Sequence, residues 1–299
     1  VRVGERVADA LAVGRPVLAC ESTIVTHGLP APRNLAVARE AEELVATLGV
    51  VPATVGVLDG EVVVGLTDDE LARLATAPDV VKLSARDLPV AVATGASGGT
   101  TVAATAHLAH RAGIRVFATG GLGGVHRGAA RTFDESADLP ALAALPLVVV
   151  SAGVKSVLDV PATLERLETL GVTVAGYRTH AFPGFYVADS GHRVGQRLES
   201  PEQVAAAWRA ARDLGLPGAL LVANPVPAAE QLPPGLHDAA LADALAALDD
   251  AGIGGQDATP FLLARVRAAT GEASLEVNVA VYRHNVALGA RIATALVGR

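Results

Sequence analysis

Three side chains able to take part in covalent chemistry stand out by their setting: Glu21, Lys82 and Lys155. Lys155 follows the apolar run Leu147-Val148-Val149-Val150 and the small-residue turn Ser151-Ala152-Gly153-Val154. It therefore leaves the carboxyl end of a predicted strand, the edge at which open α/β sheets bind ligands. A charged amine held there faces a candidate ligand site. Glu21 follows the predicted strand Arg15–Cys20, so it sits where a ligand could be, with a solvated loop carboxylate as the open alternative. Lys82 lies inside the apolar run Val80–Ser84, either as an edge lysine whose stem packs and whose head reaches water, or as a second cation facing a ligand.

Between these groups runs a loop built for close approach. From Gly120 to Asp138 the chain places five glycines, one imidazole, two guanidinium groups and three acids. Gly120, Gly121, Gly123 and Gly124 remove Cβ atoms from a ligand's path, while Asp134 and Asp138 have a spacing that could converge on one cation. Upstream, Gly95-Ala96-Ser97-Gly98-Gly99-Thr100-Thr101 leads into a predicted helix at Val102–His110, an arrangement that suits a phosphate or simply connects two elements. Thr179–Val187 holds three of the nine aromatic residues, as a wall for a flat ring or as a packed loop.

The elements that must hold these residues follow from periodicity. Helices are expected at Glu5–Leu11, Asn34–Leu48, from a Thr67/Glu70 capping box, at Pro161–Leu170, Pro201–Leu214 and Asp238–Asp250, and through most of Thr259–Val297 with a break at Gly271–Ser274. Strands are expected at Val55–Leu66, as a hairpin turning at Asp59-Gly60, and at Ile114–Ala118, Leu147–Ser151, Val172–Gly176 and Gly218–Ala223. Alternating helices and strands predict an α/β protein with a mostly parallel central sheet and helices on both faces. No repeat or linker divides the 299 residues, which read as a single three-layer α/β/α domain over 1–299.

Composition removes several functions. A formal charge of -7, 3% aromatics and no Lys/Arg cluster argue against a nucleic-acid partner. No uninterrupted apolar stretch is long enough for a membrane span, and charges in the N-terminal VRVGERVADALAVGR do not fit a signal peptide, so a cytoplasmic protein is expected. The single cysteine, Cys20, excludes an intramolecular disulfide and reads as a small core residue.

Taken in order, CESTIVTHGLPAP, KLSARDLP, GGTTVAAT, ATGGLGGVHRG, TFDESADL, SAGVKSVLD, ANPVP, TPFLL and SLEVNVAVYRHN resemble the pseudouridine-5′-phosphate glycosidase family, also called indigoidine-synthase-A-like, across nearly the whole chain. The resemblance implies an α/β/α fold, a homotrimer and a divalent metal, usually manganese (Mn2+). It also implies reversible cleavage of the C–C bond between C1′ of ribose 5-phosphate and C5 of uracil. On matching positions it makes Glu21 the proton donor and Lys155 the nucleophile that forms an imine with the opened sugar. Lys82, Val102, Ser136, Ala137 and Asp138 would contact substrate, Asp134 would hold the metal, and His126 and Asn278 fall in matching active-site motifs.

These residue types make chemical sense of such a reaction. A C–C glycoside has no heteroatom leaving group at the base, so two-carboxylate glycosidase logic does not apply, whereas an imine is an electron sink. The attacking amine must be neutral, which a second cation such as Lys82 nearby would favour. The chain departs from the family at Ala85, Gly184 and His284; Gly184 suggests a roomier aromatic loop and His284 a different hydrogen bonding toward the carbon acceptor. A C-glycosynthase that joins ribose 5-phosphate to an aromatic polyketide is therefore the alternative enzyme, and a non-catalytic sugar-phosphate-binding regulator the alternative outside enzymes.

Overall fold

Period-two alternation sorts the strand side chains onto opposite faces of one sheet: Leu18 and Cys20 enter one apolar cluster, Val17 and Ala19 the other. The structure, a computed structural model, describes residues 1–253 and 258–298. Its strands are β1 (Arg2–Val3), β2 (Val17–Cys20), β3 (Val51–Leu58), β4 (Glu61–Val64), β5 (Val81–Leu83), β6 (Gly98–Thr100), β7 (Val116–Ala118), β8 (Val148–Ser151), β9 (Thr173–Tyr177), β10 (Gln196–Leu198) and β11 (Leu220–Ala223). They are ordered β1-β4-β3-β2-β7-β8-β11-β9-β10, with β6 on β3 and β5 on β6. Pairings are parallel except β3 with β4 and β3 with β6.

The helices are α1 (Glu5–Ala12), α2 (Arg33–Thr47), α3 (Asp68–Thr76), α4 (Leu88–Thr94), α5 (Val102–Arg111), α6 (Ala129–Thr132), α7 (Asp138–Ala144), α8 (Val160–Thr169), α9 (Pro201–Asp213), α10 (Pro234–Ala251), α11 (Ala258–Thr270) and α12 (Ala273–Val297). α1, α4, α5, α7 and α8 supply one outer layer, and α2, α3, α9 and α12 the other. The expected three-layer α/β/α architecture is thus observed. A third apolar cluster joins α10, α11 and α12 to Ala152, Val154, Phe182, Phe185 and Tyr186, below the Lys155 turn.

Local chemistry explains why the main elements were readable. Thr67 and Glu70 form both hydrogen bonds of the capping box that starts α3. Asp59 and Gly60 have φ of 49° and 78°, the left-handed pair that closes a tight hairpin between β3 and β4. Several elements differ from expectation: β1, β10, α4, α6 and α7 were not expected, and two others take another form. Gly98–Thr100 is a strand rather than an open turn, and α10 starts at Pro234, where proline at the first helical position sets the entry. Among the described residues no helix is long and apolar enough to cross a membrane.

Candidate active site

β2, β7 and β8 are adjacent and parallel, so their carboxyl ends deliver Glu21, Thr119 and the Lys155 turn to one edge. Gly153 makes that turn with φ of 75°, and a Cβ there would strike the Pro183 carbonyl. The edge opens into a cavity of about 340 Å³ that Glu21, Lys82, Lys155 and Asn278 all line. Phe185 and Tyr186 wall one side and Leu263 of α11 another, so the aromatic loop is pocket wall and packed loop at once.

Glu21 is only 8% exposed. Burial pushes its carboxyl above the usual range, while Lys155, the Thr119 hydroxyl and Lys82 pull it down and Asp138 pushes it further up. Lys82 keeps solvent exposure at the cavity, yet the surrounding walls first, and Lys155 second, lower its ammonium; Asp138 and Glu21 act the other way. A carboxyl of raised pKa beside two amines can hold a proton nearer neutrality than a solvated carboxylate does. His27, which sequence reasoning passed over, lines the same cavity and is lowered by burial and by Lys82, with Nδ1 at 2.7 Å from Thr26 Oγ1.

The remaining sequence candidates lie outside that cavity lining. Val102 points its side chain into the core, so only its N–H is available: Ala103 donates to Asp138 at 2.9 Å and Ala104 to Thr101. Asp138 is 6% exposed and also accepts from Gly123 N at 2.8 Å. It thus ties the glycine loop to the start of α5 and occupies the helix end expected to cradle phosphate. Ser136 Oγ accepts from Asp138 N at 3.2 Å, and Ala137 is exposed at the start of α7.

Both oxygens of Asp138 are engaged by the two amides. Asp134 instead lies half-buried with Oδ2 at 3.5 Å from His126 Nδ1. Among the described residues no group of three or more His, Cys, Asp or Glu could hold a metal. The Asp134 carboxylate, with no amide or guanidinium partner among the described residues, fits a hard cation bound through one carboxylate and water, not a closed protein cage.

The two departures that suggested a different carbon acceptor, Gly184 and His284, do not line the cavity. An alanine Cβ at Gly184 would lie 2.9 Å from Val187 Cγ2 and 3.3 Å from Ser190 Cβ, so the space is already filled. His284 Nε2 lies 3.0 Å from Glu230 Oε1 on the protein surface. Asn285 is fully buried, while Asn278, seven residues earlier on α12, lines the cavity.

The sequence model of the Indigoidine synthase A like protein family matches residues 6–295. The chain belongs to this family. A relative within the indigoidine synthase A like family, the pseudouridine-5′-phosphate glycosidase of Saccharopolyspora erythraea, is 62% identical over 99% of this chain and 98% of its own length. The protein of the same description from Salinispora tropica is 60% identical over 100% and 93%. The prealnumycin C-glycosynthase AlnA, solved with ribulose 5-phosphate, superposes with a TM-score of 0.92 at 37% identity, covering 99% of this chain and 96% of that one. An indigoidine synthase A-like protein of Thermotoga maritima superposes at 0.88 with 36% identity, over 95% and 94%.

Proposed function

We propose that the protein cleaves and forms the C–C glycosidic bond of pseudouridine 5′-phosphate, exchanging it with uracil and ribose 5-phosphate. The observation that carries this reading is the convergence of buried Glu21 with Lys155 and Lys82 in one cavity, in a chain 62% identical to a pseudouridine-5′-phosphate glycosidase over nearly its full length.

In the cleavage direction Lys155 Nζ bonds to C1′ as the C1′–O4′ bond breaks, and the protonated Glu21 carboxyl gives its proton to O4′. The Glu21 carboxylate then takes a proton from the new ammonium. The nitrogen lone pair forms the imine as the C1′–C5 bond breaks toward uracil, and Glu21 returns the proton to C5. Water hydrolyses the imine, releasing ribose 5-phosphate and the free amine. Burial, which raises the Glu21 carboxyl, suits it to give a proton, and Lys155 favours the carboxylate left behind.

In this reading Lys82 gives the sugar phosphate a positive partner from the cavity lining, and the Val102 N–H, Ser136, Ala137 and Asp138 are its further contacts beyond that lining. His126 and Asn278 complete the set, Asn278 with an amide that can read the edge of a base. A divalent cation such as Mn2+, held by Asp134 with water in its shell, would supply charge to order the phosphate. A homotrimeric cytoplasmic enzyme belongs to the same reading. Synthesis of an aromatic C-riboside would use the same lysine, but Gly184 and His284, which suggested it, do not line the cavity. Purified protein should release uracil from pseudouridine 5′-phosphate and re-form it from uracil plus ribose 5-phosphate; negligible uracil release beside C-ribosylation of a polycyclic phenol would reverse the choice.

A further inference from the structure

Behind Glu21 runs a set of buried hydrogen bonds for which the proposed chemistry has assigned no task. Thr119, fully buried after β7, donates its hydroxyl through a short hydrogen bond to Glu21 Oε1. The Thr119 backbone is gripped from α12: Asn285 Nδ2 donates to the carbonyls of Thr119 at 2.8 Å and Gly120 at 3.1 Å. Asn285 Oδ1 accepts in turn from Asn224 Nδ2 at 2.9 Å, and Asn224 N donates to the Ser151 carbonyl at 2.8 Å. With both ends of the Asn285 amide engaged, its orientation is fixed. Gly289, one turn on, lets α12 approach, since a Cβ there would lie 2.8 Å from Leu18 of β2 and 3.1 Å from Ala118 of β7.

We propose that Thr119 fixes which oxygen of Glu21 faces substrate, and that Asn285 and Asn224 are positioning residues acting through Thr119. The inference rests on Glu21 being the proton donor of the proposed reaction. A carboxyl turning freely about its last bond would present either oxygen, and half of its orientations would hold the proton away from the sugar. With Oε1 accepting from Thr119, Oε2 is left without a partner among the described residues, and Glu21 lines the cavity with the exposure it retains. Thr119 transfers no proton itself.

The hydrogen bond also favours the ionised carboxyl, so removing the hydroxyl raises the pH at which Glu21 titrates. The other titratable or charged groups around Glu21 are Lys155 after β8, Lys82 in β5, Asp138 at the start of α7, His27 and Arg267 of the same cavity lining, and Cys20 and Tyr282. None of them replaces the Thr119 bond to Oε1.

The test is the pH dependence of pseudouridine 5′-phosphate cleavage by the full chain and by Thr119→Val, Thr119→Ser, Asn285→Leu, Asn224→Ala and Glu21→Gln, with folding checked by circular dichroism. Glu21→Gln should be inactive, and the limb of the parent profile that reports Glu21 should move up by about one pH unit in Thr119→Val. It should return in Thr119→Ser and move part of the way in Asn224→Ala and Asn285→Leu, with kcat falling about tenfold and KM little changed. A folded Thr119→Val with an unmoved limb overturns the proposal and leaves the role of Glu21 intact. Full activity in Glu21→Gln overturns both. If Thr119→Val does not fold, Asn224→Ala decides: a shifted limb supports the relay, and an unshifted one ends it.

Discussion

Replacing Asp138 by alanine removes a side chain that joins the glycine loop to α5. Its two oxygens accept from Ala103 N at 2.9 Å and Gly123 N at 2.8 Å, at 6% exposure. Each bond to a charged acceptor contributes about 1.5–3 kcal/mol, and partial rehydration of the freed amides recovers some of it, so a loss of about 3 kcal/mol is expected. Asp138→Asn keeps a single carbonyl oxygen and turns an NH2 toward the second amide, so it should lose about half as much, near 1.5 kcal/mol. Urea titration with a fixed m-value gives both numbers. Uracil release should fall in step, because Gly123 lies in the loop between Thr119 and the Ser136–Asp138 segment. A fully stable Asp138→Ala would refute the tie, and loss of sugar-phosphate affinity at unchanged stability would make Asp138 a substrate ligand instead.

Burial holds the Glu21 carboxyl above its unfolded value, so the unfolded chain gives up its proton first as pH rises. Stability contributed by the protonated form is present below the ordinary carboxyl range and is lost as pH climbs through the raised one. Glu21→Gln should therefore be inactive yet melt higher than the parent at pH 7, with the gap closing toward pH 4; a lower melting temperature at both would refute this. For the cation, exhaustive chelation should abolish uracil release and Mn2+ should restore it. Asp134→Ala should stay folded and show at least tenfold weaker Mn2+ binding by calorimetry, whereas unchanged affinity would remove Asp134 from the site.

Much of this architecture was legible because local signals agreed with the fold. The apolar runs ending at Cys20 and Ser151 announced strands, and the small-residue turns behind them announced the edge where Glu21 and Lys155 meet. β1 and β10 were not legible, since two or three residues carry no alternation. The Asp134/Asp138 spacing could not say where either carboxylate points: Asp138 turns inward to the Ala103 and Gly123 amides, while Asp134 lies beside His126. Asn285 is the opposite case. Its spacing from Asn278 placed both on one side of α12, but nothing in sequence could reveal that one meets the cavity and the other the Thr119 carbonyl. The apparent opening at Gly184 failed for a similar reason, because Val187 and Ser190 fill the space from along the chain.

Covalent chemistry at Lys155 is tested most directly by borohydride reduction in the presence of ribose 5-phosphate, followed by peptide mapping. Only an imine is trapped by that reduction, so a single sugar adduct is expected on Lys155, absent in Lys155→Ala and retained in Asp138→Asn. An adduct mapped to Lys82, or none at all in protein that turns over pseudouridine 5′-phosphate, would contradict the assignment.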